Sequence, residues 1–206
     1  CGWRREFMAD KKGKLVLIVG PSGSGKGTII MHLRERHPDW VFPVSCTTRP
    51  PRPGEIDGQV YNFISEEEFK KGISEGQFLE YAIVHEKGYY GTSASEILEG
   101  INAGKTVVRE VDIQGFHSIK KAFDEGAHGL NREQLLTIFI EAKDLDELQR
   151  RIADRGKLPE DEVARRMESA RKEIAQADLC DARILNEYGK IDEAVAKADG
   201  IILKNL

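Results

Sequence analysis

The chain has 206 residues, and 31 Lys and Arg stand against 35 Asp and Glu for a formal charge of −4. A hydrophobic share of 40% supplies a core and excludes intrinsic disorder, while the slight acidity excludes a protein that holds nucleic acid by neutralising many phosphates. Three scattered cysteines, Cys1, Cys46 and Cys180, exclude a disulfide framework or a zinc knuckle and point to a reducing compartment.

In chain order, residues 1–12 are cationic without an apolar segment and are read as a functionless tail or expression remnant, with Met8 a candidate start. KLVLIV (14–19) is a short apolar run of the kind that forms a parallel strand buried on both faces. A glycine-rich turn follows, then a helix through about Glu35. Residues 41–91 change texture: they hold four of the seven prolines, short aromatic-bearing β-like runs, and one helix opened by the capping box Ser65-x-x-Glu68. TVVREVD (106–112), LLTIFIE (135–141) and ARILN (182–186) are expected as further core strands. Helices are expected over Asp144–Gly156, opened by an Asp144/Glu147 capping box, over about Glu160–Ala177, and near Ile191–Ala198. The polar stretch Asp154–Asp161 between the first two is a candidate flap. Alternation of strands and helices predicts an α/β protein with a parallel sheet, a core of residues 13–40 and 92–206, and an inserted small mixed sheet at 41–91. The longest strongly apolar stretch, Leu15 to Val19, is far short of the roughly 20 residues that span a bilayer. The expectation is a cytoplasmic protein without a membrane or nucleic-acid partner, as a monomer or a homodimer.

The strongest motif is GPSGSGKGT at 20–28, directly after a strand and before a helix. Gly20, Gly23 and Gly25 let successive backbone N–H groups turn inward without Cβ clashes, alongside Pro21, Ser22 and Ser24. With the following helix N-terminus these donors form an anion site, to which Lys26 adds a movable charge for β- and γ-phosphates. A bare flexible turn would not need that strand and helix on either side. The pattern expects a hydroxyl at 27, where this chain has Gly27 followed by Thr28. A magnesium ion would therefore use Thr28, or mostly phosphate and water.

A second constellation is VSCTTRPPRPGEIDGQVYNF at 44–63. Two prolines stiffen the backbone between Arg49 and Arg52, and Tyr61 follows with a hydroxyl donor. Two guanidinium forks and a phenol suit a dianionic phosphate monoester, although Arg-Pro-Pro-Arg taken alone also reads as a surface polyproline stretch.

Together with FLEYA (78–82), YYGTS (89–93) and EVDIQG (110–115), these motifs resemble the guanylate kinase family, in order and spacing, from about residue 14 to 204. The GKGT ending in place of GKST agrees with nucleoside monophosphate kinases. The resemblance implies a P-loop NTPase-type core, an inserted GMP-binding subdomain, a helical lid at about 142–170, and ATP:GMP phosphoryl transfer with Mg²⁺. It implies that residues 20–28 bind ATP, that Ser45, Glu80, Thr92 and Asp112 contact guanine, and that Arg49, Arg52, Tyr61 and Tyr90 hold the 5′-phosphate of GMP. Guanine agrees chemically, because its N1–H and N2–H₂ are adjacent donors for carboxylates and its O6 and N7 accept from hydroxyls. Lys26, Arg49, Arg155 and Arg166 are the expected charge stabilisers, with Arg151 and Arg165 as rivals in the lid. One departure is Arg109, where an apolar residue is more usual and a local ion pair is expected. Two other readings remain open. A noncatalytic guanylate-kinase-like interaction module would not need Lys26, and a kinase of another phosphorylated substrate, such as a ribose bisphosphate, would not need the base-reading set.

Overall fold

The apolar run at 14–19 is strand β1 (Lys14–Val19), and its pleat sets the layers of the molecule. Leu15, Leu17 and Val19 belong to one apolar cluster, Val16 and Ile18 to another, and all five are fully buried. The computed structural model describes residues 13–59, 61–84, 88–154 and 158–206.

In chain order the elements are α1 (Lys26–Arg36), β2 (Cys46–Thr47), β3 (Asn62–Phe63), α2 (Glu66–Ser74), β4 (Phe78–Val84), β5 (Gly88–Ser93), α3 (Ala94–Asn102) and β6 (Thr106–Glu110). Then come α4 (Ile113–Asp124), β7 (Leu135–Glu141), α5 (Leu145–Asp154), α6 (Glu160–Ile174), β8 (Ala182–Leu185) and α7 (Ile191–Lys204). Strands β6, β1, β7 and β8 pair in that order, all parallel. Ile97 of α3 and Phe116 and Phe123 of α4 pack in the cluster of Leu15. Ile29 and Leu33 of α1 and Val195 and Ile202 of α7 pack in the cluster of Val16. Each of these apolar side chains contributes about 1.5–3 kcal/mol by leaving water, so a sheet covered on both faces holds the core.

The mixed sheet runs β3-β2-β5-β4, with β2 and β3 parallel and the other pairs antiparallel. Its edges differ slightly from the expected 41–91. Val41 is bonded to β6, accepting from Val108 N–H and donating to Thr106 O, and β5 continues to Ser93. The capping box of α2 forms as expected, Ser65 Oγ accepting from Glu68 N–H and Glu68 from Ser65 N–H. Phe69 of that helix is buried and stacks on Phe78 at 4.3 Å.

Helix α5 shows half of its expected box. Asp144 Oδ1 accepts from Glu147 N–H at 2.7 Å, but the Glu147 carboxylate is taken by Arg151. Helix α6 stops at Ile174, where a short 3₁₀ turn (Ala177–Leu179) carries the chain toward β8. Helix α7 runs six residues past the expected Ala198, because Ile202 continues the buried stripe of Ala194, Val195 and Ala198. Helices α3 and α4 had no counterpart in the sequence reading. Among the described residues no helix is long and apolar enough to cross a membrane.

All four parallel strands deliver their C-terminal ends to one edge. The phosphate loop follows β1, Asp112 follows β6, Glu141 ends β7 and Asn186 follows β8. A crevice at the carboxyl ends of parallel strands is where open α/β sheets bind ligands.

Candidate active site

The loop between β1 and α1 turns through left-handed backbone at Gly23 (φ 84°) and Gly25 (φ 96°). Gly25 is the N-cap of α1 and has a second reason to lack a side chain: an added Cβ would lie 2.2 Å from Asn186 Nδ2. That amide donates to Ser24 O at 2.7 Å, and Asn186 is buried, so a residue beyond β8 braces the loop from behind. Arg151 of α5 braces it from the side, donating to Asn186 O at 2.8 Å and pairing with Glu147. Lys26, the first residue of α1, donates to Gly20 O at 2.6 Å and Pro21 O at 3.0 Å, with Glu110 at 3.6 Å. Thr28 is exposed on the first turn of the same helix.

This loop forms one wall of a cleft of about 1240 Å³. That exceeds the roughly 300–1,000 Å³ typical of a single small-ligand pocket. Lys26, Ser45, Tyr61, Arg109, Asp112 and Glu173 all line it. Asp112 is the N-cap of α4, and its Oδ1 accepts from Gly115 N–H at 2.8 Å. Glu173, on α6, was not singled out in the sequence. Burial pushes its carboxyl up to about 7, against the pull of Lys26 and with the repulsion of Asp112.

The expected base-reading residues come together around the residue that departed from the family pattern. Arg109 of β6 is only 9% exposed, and its guanidinium donates to Pro43 O at 2.8 Å, to Thr92 Oγ1 at 3.1 Å and to Ser45 Oγ. Neutral oxygens, rather than the expected ion-pair partner, hold it among the described residues. Thr92 Oγ1 in turn donates to Glu80 Oε1. Burial pushes the Glu80 carboxyl up and Asp112 adds to this, while the Thr92 hydrogen bond and the Arg109 charge pull it down. Thr92 is 1% exposed, so its hydroxyl serves its neighbours Glu80 and Arg109.

Farther out on the mixed sheet, Arg49 pairs with Glu55 through both guanidinium nitrogens, at 2.6 and 2.7 Å. Those bonds hold the Glu55 carboxyl at about 2, and the same carboxylate accepts from Arg52 N–H at 2.7 Å. Glu55, just past the turn at Pro53–Gly54, thereby ties back to both ends of the Arg-Pro-Pro-Arg segment. The Arg49 guanidinium lies 5.0 Å over the Tyr61 ring, and Tyr61 meets Tyr90 edge to face at 5.7 Å. Arg52 is exposed beside this group. The four expected phosphate-holding residues thus belong to one patch.

Of the lid arginines, Arg155 and Arg166 are the expected pair and Arg151 and Arg165 the rivals. Arg155 lies outside the described residues. Arg166 is held on α6 by Glu162 at 2.9 Å, and Arg165 pairs with the same carboxylate. Among the described lid arginines, Arg151, the rival, is the one that lines the cleft and touches the phosphate loop.

The family model for guanylate kinase matches residues 12–205. The chain belongs to the guanylate kinase family. It is 42% identical to a guanylate kinase of Nostoc sp. over 85% of this chain and 83% of that one. It is also 42% identical to a guanylate kinase of Caldanaerobacter subterraneus over 94% and 88% of the two chains. A crystal structure of guanylate kinase from Anaplasma phagocytophilum superposes with a TM-score of 0.68 at 25% identity, covering 94% of this chain and 86% of that one. The α/β architecture with its second mixed sheet is therefore that of the family.

Proposed function

We propose that this chain transfers the γ-phosphoryl group of ATP to the 5′-phosphate of GMP, giving ADP and GDP. The observation that carries the proposal is a single cleft in which a lysine-bearing phosphate loop shares walls with Ser45, Arg109 and Asp112. The loop amides of residues 20–28 and Lys26 would hold the donor phosphates, with the anion seated at the N-terminus of α1. Arg49, Arg52, Tyr61 and Tyr90 would hold the acceptor phosphate, and Ser45, Glu80 and Asp112 would read the base, with Thr92 orienting Glu80. The acceptor oxygen is already ionised near neutral pH, so no general base is needed, and catalysis rests on positioning and charge neutralisation.

Lys26 moves from the Gly20 and Pro21 carbonyls to the phosphates, exchanging neutral acceptors for charged ones. Arg151 stands where it can neutralise charge beside the loop, and Arg155 and Arg166 from the lid would add to it. Oxygen donors suit a magnesium ion. A Cβ at Gly27 would lie 3.6 Å from Glu110 Oε2, an ordinary contact distance, so that carboxylate lies beside the first turn of α1, where Thr28 is exposed. Thr28 and Glu110 would hold Mg²⁺, which supplies charge neutralisation on the phosphates when bound. No observation favours the interaction-module or ribose-bisphosphate readings over this one.

The test is a coupled ADP-release assay across GMP, dGMP, AMP, CMP and UMP with the purified protein. Turnover with GMP and discrimination of about 10⁴-fold against AMP are expected, because a pocket built to pair donors rejects a base lacking them. Equal turnover with AMP or CMP would refute the assignment.

A further inference from the structure

Arg109 is a buried cation whose two terminal nitrogens are spent on Ser45, Thr92 and Pro43, and whose Nε has no hydrogen-bond partner. The consequence lies in the protons of the two hydroxyls. A hydroxyl has one proton to give and two lone pairs, and a guanidinium can only donate. Both hydroxyl oxygens therefore accept from Arg109 and must point their own protons elsewhere. The Thr92 proton goes to Glu80. The Ser45 hydroxyl donates to no protein atom among the described residues, and Ser45 lines the cleft.

We propose that Arg109 is a positioning residue that fixes the hydrogen-bond polarity of the base pocket. It makes Ser45 a donor and keeps Glu80 an acceptor, and so selects a purine with an oxygen at C6 and N–H groups at N1 and C2. The proposal deepens the GMP reading and rests on it. A 6-amino purine meets this pocket with the wrong polarity at both places: its amine would face the Ser45 proton, and its N1 lone pair would face the Glu80 carboxylate.

The charged surroundings give the mechanism its pH signature. Glu80 faces Arg109 from β6, Asp112 from the cap of α4 and the Thr92 hydroxyl from β5. Arg109 itself faces Glu80, Glu110, Glu96 of α3 and Tyr61. The guanidinium is thus the cation that offsets burial and Asp112 at Glu80. Removing it lets Glu80 take up a proton at higher pH, and a protonated Glu80 offers a donor where guanine also offers one.

The experiment compares Arg109→Leu, Arg109→Lys and the parent enzyme in the coupled assay from pH 5 to 9, with GMP and AMP as acceptors. In R109L, KM for GMP should rise about tenfold or more, as expected for a charged hydrogen-bonding group lost from a buried site. Its loss should fall mainly on KM and not on kcat. The acid limb of kcat/KM for GMP should move up by about one pH unit, and the GMP/AMP ratio should fall. R109K keeps the charge without the fork. It should therefore raise KM while leaving the acid limb near its parent position, a split that loss of packing alone would not give. An R109L enzyme with the parent KM and acid limb would overturn the proposal. If R109L does not fold, a double-mutant cycle between Arg109→Lys and Ser45→Ala decides: non-additive effects on KM support it, and additive effects overturn it. A parent enzyme that ignores GMP would instead sink the acceptor assignment, a distinguishable outcome.

Discussion

The phosphate loop and the proposed base pocket meet at one cleft, which Ser45, Arg109 and Asp112 line, but are built by opposite means. Nine consecutive residues make the loop, and its recognition groups are backbone amides aimed by left-handed glycines, with one ammonium added. The proposed base pocket takes side chains from four separate stretches of the chain: Ser45, Glu80, Thr92, and Arg109 with Asp112. Its working parts are a buried arginine, a buried hydroxyl and a half-buried carboxylate that satisfy one another. A ligand site made of backbone keeps its polarity in any surroundings that preserve its dihedral angles. A site made of side chains gets its polarity from its neighbours, so one substitution there changes the meaning of several groups.

The largest expected effect is on the loop side. Lys26→Ala should lower kcat by about 10²–10³-fold, the usual cost of deleting a preorganised charge at a reacting phosphate. GMP affinity, measured by calorimetry without ATP, should stay near the parent value. A parallel loss of GMP affinity would mean that loop and base pocket are not separable.

Next come the carboxylates of the other side. Asp112→Asn keeps an acceptor for the cap of α4. It should still raise KM for GMP by about tenfold through the lost charge, with KM for ATP nearly unchanged. Steady-state kinetics with each substrate varied separates the two. Equal rises in both constants would show that Asp112 serves the whole cleft.

Gly25→Ala probes the bracing of the loop. Left-handed backbone at φ 96° and the clash with Asn186 should together cost about 2–3 kcal/mol of stability. ATP binding should fall in the folded fraction, as read by thermal melts with and without nucleotide. Asn186→Ala should relieve part of the clash and rescue part of the melting temperature, since the two residues share one contact.

The last effect is read only through pH and belongs to Glu173, which feels Lys26 on one side and Asp112 on the other. Its carboxyl is raised from 4.5 to about 7 in the folded chain, mainly by burial. A raised acid favours the folded state fully below the unfolded value and loses that contribution as pH climbs toward 7. The melting temperature of the parent should therefore decline relative to Glu173→Gln between about pH 4.5 and 7. Parallel curves across that window would remove Glu173 from the electrostatics of the cleft.

The sequence by itself determined what is local. The run KLVLIV, the glycine spacing before Lys26 and the Ser65/Glu68 box all appear where the pattern put them, because each depends on near neighbours along the chain. Through resemblance to a known family it also singled out the positions proposed to read the base. Tertiary structure alone decided what those groups do to each other. No pattern around Arg109 says that it will donate to hydroxyls 17 and 64 residues away. Nor does any pattern after β8 say that Asn186 will reach Ser24, or that Arg151 rather than Arg166 will face the loop. The physical reason is one of range. Dihedral preference and periodic burial act over a few residues, whereas the protonation and hydrogen-bond direction of a buried group depend on whichever side chains folding brings within about 3 Å of it.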